Sequence, residues 1–373
     1  MARTRRHFRF RLAAALLVGF AFVEAGVRAV DARRGFSSRS RTAWFWLYEA
    51  DPRLGFRGRP HAALATPTQT IRHNADGFRD DRDLAAFPPA KQRRLVACVG
   101  DAGTYGLGAG SNAHTYPAVL ERELRALTHD DRFVVLNAGL PNYSSAEIAT
   151  LVEDRLLALA PELVVAMSFK EDFEYLELAP HERNGYRFYP LRIGGFWASG
   201  LPRLLLTSSF LGRVADKTRP ALVDDFGVRR ALPAHESVGT EGARRYLENV
   251  GRLADRCQRA GATLLMVDQP VHYSMCAYSD AKVEGAERLR KALHDLCGER
   301  GVPVLSAHTT LDWKGLTLGD DNLLGTAGYE RLAKLLAPQI LAVVNPAEAT
   351  DSPRRAQRSG EHAEGTGDRA GRD

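Results

Sequence analysis

The residues able to do chemistry gather where short apolar runs end. Leu95 to Gly108 reads LVACVGDAGTYGLG, an apolar strand entering a Gly-Asp-x-x-Thr-x-Gly turn that carries Asp101, Ala102 and Thr104. Phe133 to Leu136 leads into Asn137-Ala138-Gly139, and Leu163 to Met167 leads into Ser168-Phe169-Lys170-Glu171-Asp172. A later run ends in Asp268-Gln269-Pro270-Val271-His272, and Asp320-Asp321-Asn322-Leu323 stands shortly before Gly328. A hydroxyl beside a positioned base would support acyl transfer through a covalent intermediate. Carboxylates whose pKa values split would support acid–base chemistry. Several carboxylates together would hold a hard cation such as calcium or magnesium.

The ordered blocks resemble the SGNH/GDSL hydrolase family over roughly residues 45–343. In that family the first turn reads Gly-Asp-Ser, and the glycine N–H of the second block helps form the oxyanion hole. The third block is Gly-x-Asn-Asp-like, and an Asp-x-x-His pair precedes the last helix. Placed on these blocks, the nucleophile position is Ala102, the oxyanion asparagine is Glu171, its glycine is Phe169, and the histidine is Leu323. Asp320 and Gly139 are retained. Asp51 to Pro60 (DPRLGFRGRP) and Asn74 to Arg79 (NADGFR) are similar to the lead-in of membrane-anchored bacterial members. The resemblance implies a three-layer α/β/α sandwich around a parallel five-stranded sheet, flavodoxin-like and of the SGNH-hydrolase type.

The departures remove the chemistry that the resemblance implies. Ester cleavage needs an activated nucleophile and donors aimed at the developing oxyanion. Ala102 supplies no nucleophile, Leu323 supplies no base, and an ionised Glu171 places negative charge where negative charge must develop. Three losses at separate points describe a degenerate site with no intact catalytic residue. Relocated residues are the alternative. Thr104 on a tight turn reads as a turn-stabilising hydroxyl. Ser144 and Ser145 read as helix caps, with Ser145, Ala146, Glu147 and Ile148 fitting a cap-and-acid start. His114 and His308 read as surface or capping histidines. His272, just after the fourth strand, is the first candidate for a substitute base.

Asp101, Glu171, Asp172, Asp320 and Asp321 all fall near strand C-terminal ends, the edge where open α/β sheets bind ligands. They support a carboxylate- or metal-dependent activity using Asp101 and Glu171. Neutralisation by Lys170 and neighbouring arginines, or plain solvation, is the other reading, and no metal or cofactor is assigned. Asp101, Thr104, Gly139, Glu171, Asp172 and His272 are the ligand-binding candidates. The glycine run Gly100 to Gly110 is not a nucleotide cradle. No Gly-Lys-Ser/Thr follows, Asp101 would repel phosphate, and the next helix is expected only at about Thr115.

These residues need elements to position them. Strands are expected near 95–99, 133–137, 163–167, 263–268 and 302–306, alternating with helices near 115–127, 144–158, 240–260, 282–299 and 326–343. Such alternation builds a parallel sheet between helix layers. The organisation is a basic segment 1–11, a transmembrane signal anchor 12–30, an irregular lead-in 31–90, the hydrolase-like domain 91–345 and a disordered tail 346–373. An aromatic-rich insertion at 173–239 is expected over the pocket mouth, as a lid or ligand platform or as ordinary packing. Trp44, Phe45 and Trp46 are placed at the membrane interface.

Composition sets the frame. The chain has 373 residues, 45% of them hydrophobic, and a net charge of +6. Ten arginines against Glu24 and Asp31 give residues 1–42 a charge of +8, which leaves −2 for the rest and no general basic face for nucleic acid. Five arginines precede the apolar run Leu12 to Val23, and apolar character resumes after Glu24. A signal anchor, a cleaved secretory signal and a twin-arginine export signal all fit. The resemblance and the leading arginines favour a folded domain outside the cytoplasm, on a bacterial inner membrane. Cys98 reads as a buried small residue, and one disulfide among Cys257, Cys276 and Cys297 is open. The function that follows is a membrane-anchored, extracytoplasmic pseudo-hydrolase that binds or scaffolds in envelope glycan or acyl-group handling, with a membrane-complex protein as a further partner class. An active esterase or O-acyltransferase with relocated residues is the alternative.

Overall fold

The computed structural model describes residues 2–34, 47–65, 69–169, 172, 240–271, 279–311, 316–318 and 323–345. Helix α1 (Ala2–Arg34) comes first. Two small hairpins follow, β1 (Tyr48–Asp51) with β2 (Gly55–Gly58), and β3 (Ala63–Ala65) with β4 (Thr70–Arg72). The central unit then runs β5 (Arg94–Gly100), α2 (Ala102–Tyr105), α3 (Tyr116–Thr128), β6 (Phe133–Asn137), α4 (Ser145–Leu151) and β7 (Leu163–Met167). It continues as α5 (Thr240–Arg259), β8 (Thr263–Val267), α6 (Asp280–Glu299), β9 (Val304–Leu305) and α7 (Ala307–Thr310), and closes with the hairpin β10 (Thr317–Leu318)–β11 (Leu323–Leu324) and helix α8 (Thr326–Val344).

The five-stranded sheet has the order β6-β5-β7-β8-β9, and every pairing is parallel. Its strands are continuous apolar runs because both faces are covered. All five residues of β7, LVVAM, are buried. Alternate residues serve opposite faces, as the period-2 pleat requires. Leu95, Ala97 and Val99 pack with Val164, Ala166, Leu264 and Met266 against α4, α5 and α6. Val96 and Cys98 pack with Val165, Met167 and Leu265 against α3 and α8. The expected parallel five-stranded sheet between helix layers is therefore present.

The lead-in departs from the irregular segment expected. Its hairpins are built into the domain, with Leu47, Leu54, Phe56, Ile71 and Phe78 buried in the same core as β5. Tyr143 Oη donates to the Phe56 carbonyl at 2.7 Å. Arg79, 1% exposed, donates to the Gly106 carbonyl at 2.6 Å and to Asn112 Oδ1 at 3.1 Å, and its guanidinium lies 5.1 Å from the Tyr105 ring centre. His73 sits in the same dry region with Nε2 2.8 Å from Tyr105 Oη, and burial pushes its imidazole down to about 4. Glycine and arginine density hid these strands, which are only three or four residues long.

Helix α1 is continuous, with Leu12, Leu16, Leu17, Val18, Phe22 and Val23 exposed. Among the described residues no helix is long and apolar enough to cross a membrane. The insertion 173–239, the tail 346–373 and Trp44, Phe45 and Trp46 lie outside the described residues.

Candidate functional site

With β5 central, the chain leaves it toward β6 and then returns past it to β7. The crevice between the C-terminal ends of β5 and β7 is thus the topological switch point, where open α/β sheets take ligands. Asp101 leaves β5 at this edge, Asp172 leaves β7, and Gln269 leaves β8.

The β5 exit is a locked turn. Asp101, 1% exposed, caps α2 by accepting from the Gly103 N–H at 2.8 Å, and its other oxygen accepts from Gln269 Nε2 at 2.8 Å. Both carboxylate oxygens are used. A short helix therefore begins at Ala102 itself, well before the helix start expected near Thr115. The single turn was missed because only one residue, Asp101, supplies its cap. Ala102 is half-buried at the first position of this turn. Thr104 is fully buried, donating to the Val99 carbonyl at 3.3 Å, with Tyr116 Oη 3.2 Å away. Its hydroxyl stabilises the turn and does not face an open cavity.

The second block packs beneath this turn. Asn137 donates to the Tyr105 carbonyl at 3.3 Å, and its Oδ1 accepts from the Gly139 N–H at 3.2 Å. The retained glycine thus spends its N–H on a local side chain. Its lack of a side chain has another cause. A Cβ there would lie 2.7 Å from the Thr104 carbonyl carbon and would collide with the Tyr105 amide nitrogen.

The β7 exit is built differently. Phe169, where the resemblance expects a glycine, is fully buried, edge-on to Tyr246 with ring centres 6.1 Å apart. The Arg290 guanidinium lies 4.1 Å above its ring. Asp172 is 0% exposed. Its Oδ1 accepts from the Ser145 N–H at 2.8 Å, while Oδ2 has no hydrogen-bond partner among the described residues. Burial pushes this carboxyl up to about 8, against hydrogen bonds from the Ser145 hydroxyl and N–H, with like charge on Glu147 and Asp101 adding to the rise. Asp172 is a neutral acid at neutral pH. Lys170 and Glu171 lie outside the described residues.

The β8 exit adds residues that the sequence reading did not single out. Asp268, 2% exposed, pairs with Arg290, and His294 Nε2 approaches its Oδ2 at 3.5 Å. Burial lowers the Arg290 guanidinium to about 9. Tyr246 Oη donates to the Ser168 carbonyl at 3.0 Å. A signal for Arg290 did exist. It stands on the α6 face that carries Ala286, Leu293 and Cys297, a cation at an apolar position. Gln269 follows a strand in a polar pair, but nothing in the sequence couples it to Asp101.

The remaining candidates are placed as follows. Of the two serines expected to cap, Ser144 caps α4, in a capping box with Glu147. Ser145 is the first helical residue, and its Oγ accepts from Asn249 Nδ2 at 3.0 Å. His114 pairs with Ser111 Oγ at 2.9 Å. His308 Nδ1 accepts from the Val271 N–H at 3.3 Å, with Glu287 3.6 Å from its other nitrogen. Leu323 opens β11, whose backbone pairs with Leu318 of β10 just ahead of α8. His272, Asp320 and Asp321 lie outside the described residues. Cys98, Cys257 and Cys297 are buried free thiols, so neither Cys257 nor Cys297 forms the disulfide left open, and Cys276 lies outside the described residues. Burial pushes Cys98 and Cys257 up to about 12. Among the described residues no group of three or more His, Cys, Asp and Glu side chains is arranged to hold a metal ion.

No protein-family model and no curated protein matches this chain. Solved structures similar to it include one described as a lipolytic protein of the G-D-S-L family from Desulfitobacterium hafniense, at 12% identity and a TM-score of 0.40, covering 66% of this chain and 99% of that one. The lipase/acylhydrolase from Enterococcus faecalis is 14% identical with a TM-score of 0.41, covering 66% and 95%. A carbohydrate acetylesterase from Sinorhizobium meliloti is 14% identical with a TM-score of 0.41, covering 67% and 100%.

Proposed function

We propose that this protein is a non-catalytic module of the SGNH/GDSL type that binds envelope glycans or their acyl groups, or scaffolds their handling. The observation that carries this reading is the β5 exit. Ala102 stands at the nucleophile position, while Asp101 is consumed by Gly103 and Gln269 and Thr104 is bonded inside the turn. A methyl group cannot attack an acyl carbon, and the Thr104 hydroxyl on the same turn is bonded to the Val99 carbonyl and Tyr116 rather than to a base. The full chain assayed in detergent against short- and medium-chain esters and acetylated oligosaccharides gives no turnover above buffer. Turnover that collapses in His272→Ala would contradict the reading and favour an esterase or O-acyltransferase with relocated residues.

We also propose that α1 anchors the protein to the bacterial inner membrane, with the domain outside the cytoplasm. Support comes from the arginines ahead of Leu12 and the exposed apolar side chains Leu16, Leu17, Phe22 and Val23. Fractionation recovers the chain with membranes and releases it only with detergent. Release by carbonate wash would contradict anchoring.

A second reading is favoured by one observation, the neutral carboxyl of Asp172 near Asp101. Two carboxyls with separated pKa values are the raw material of acid–base chemistry. Activity abolished by Glu171→Gln or by chelation would place Glu171 and Asp101 in such an enzyme.

A further inference from the structure

The outer edge of the sheet is closed by side chains instead of a strand. Strand β6 ends the order β6-β5-β7-β8-β9, and among the described residues no strand pairs with its outer side. Its outward backbone groups are nonetheless bonded. The Phe133 carbonyl accepts from Arg125 Nε at 2.9 Å and Nη2 at 2.7 Å. The Val135 N–H donates to Glu121 Oε2 at 2.7 Å, and the Val135 carbonyl accepts from Arg82 Nη2 at 3.3 Å. These three side chains also bond one another. Arg82 donates to both oxygens of Glu121, at 3.0 and 2.9 Å, and Arg125 pairs with Glu121 at 3.0 Å. Glu121 and Arg125 come from α3. Arg82 comes from the lead-in, where Asp80 also holds it. Along β6 the clamp presents donor, acceptor and donor, the order that a neighbouring strand would present.

An uncovered edge is a template for pairing with another chain, and charged side chains are a common way to blunt it. The strand beneath this clamp reads FVVLN, with an aromatic and two β-branched residues and no charge. Such a composition favours strand pairing. The edge is also complementary to itself. Val135 turns both its N–H and its carbonyl outward, so a two-fold axis beside Val135 lets two copies exchange both bonds as an antiparallel pair. A cavity of about 360 Å³ between the lead-in, α3 and Val135 gives the clamp's side chains room to leave the strand.

We propose that Arg82, Glu121 and Arg125 mask a self-association surface, the β6 edge, whose occupant when uncovered is the β6 of a second copy. The lead-in thereby has a role apart from the crevice, since it supplies the cation over the Val135 carbonyl. The proposal is independent of the binding and anchoring readings, because it uses none of the residues at the β5, β7 and β8 exits.

The test uses the full chain in detergent. In the parent, the Val135 amide is bonded to a side chain and to no strand, and it exchanges at least about a hundredfold more slowly than an unstructured amide. Glu121→Ala speeds that exchange by about tenfold or more, as the loss of one charge-assisted bond requires. Its mass by light scattering climbs with concentration toward double that of the parent. Adding Val135→Pro returns the mass to the parent's, because proline removes the outward N–H and spares the bonds to β5. Arg82→Ala uncovers only the Val135 carbonyl and gives a smaller rise, which serves if Glu121→Ala does not fold. Three results overturn the proposal: a parent Val135 amide that exchanges like an unstructured one, variants that stay at the parent's mass, and a rise in mass that survives Val135→Pro. The parent exchange needs no variant.

Discussion

The exits of β5 and β7 lie side by side on one sheet edge, and each buries an aspartate. The environments differ in kind. Asp101 has a partner on each oxygen, the Gly103 N–H and Gln269 Nε2, both at 2.8 Å. Asp172 is held by Ser145, and its Oδ2 has no hydrogen-bond partner among the described residues. The first exit is a finished piece of structure, with both oxygens of its aspartate bonded. The second retains an uncompensated polar atom, and strongly perturbed carboxyls tend to mark functional positions. Function should therefore be sought at the β7 exit, although the sequence motif points to the β5 exit.

The harshest way to break the comparison is to disturb the floor they share. Gly139→Ala drives a methyl into the Thr104–Tyr105 backbone. Overpacking of this kind costs about 3 kcal/mol or more because backbone cannot move aside cheaply, and chemical denaturation should read the loss.

Next in size, and opposite in sign, is Asp172→Asn. The folded carboxyl is raised to about 8, whereas the unfolded one ionises near ~3.9. Between these values the unfolded state has released the proton and the folded state has not, so stability falls as pH rises. The neutral amide removes that loss. At pH 7 the variant should be more stable by up to about 4 kcal/mol, at ~1.36 kcal/mol per pH unit. The gain should vanish near pH 4 and level off above pH 8. Thermal melts across that range check it, and a pH-independent difference would deny the neutral acid.

Asp101→Ala should act in the usual direction, costing about 2 kcal/mol for a lost cap and a lost charge-assisted bond. Smallest is Ser144→Ala, which breaks the capping box at α4 for about 1 kcal/mol. It tests whether the Asp172 contact to Ser145 alone can hold the helix start, read as amide exchange at Ala146.

Much of the fold was legible because β5, β6, β7 and β8 are continuous apolar runs flanked by strong amphipathic helices. The expected strand at 133–137 matches Phe133–Asn137, and the expected helix at 240–260 matches Thr240–Arg259. The lead-in was not legible. Its strands hold three or four residues each, and its anchoring cation, Arg79, is satisfied mostly by backbone carbonyls that no sequence pattern announces. At the site, the sequence shows Ala102 in the turn where the resemblance expects a serine. The state of Asp172 was not, because burial and the absence of a partner are properties of packing. Of the two serines expected to cap, Ser144 holds the role since Glu147 stands three residues after it, the spacing a capping box needs.

The most direct test of the account is covalent labelling with a fluorophosphonate probe on the full chain, beside an Ala102→Ser/Leu323→His double variant. The parent should take up no label, because its β5 exit carries a methyl group where the nucleophile would stand. Stoichiometric labelling of the parent, with the modified peptide mapped to any serine or threonine, would contradict the central claim and identify the nucleophile.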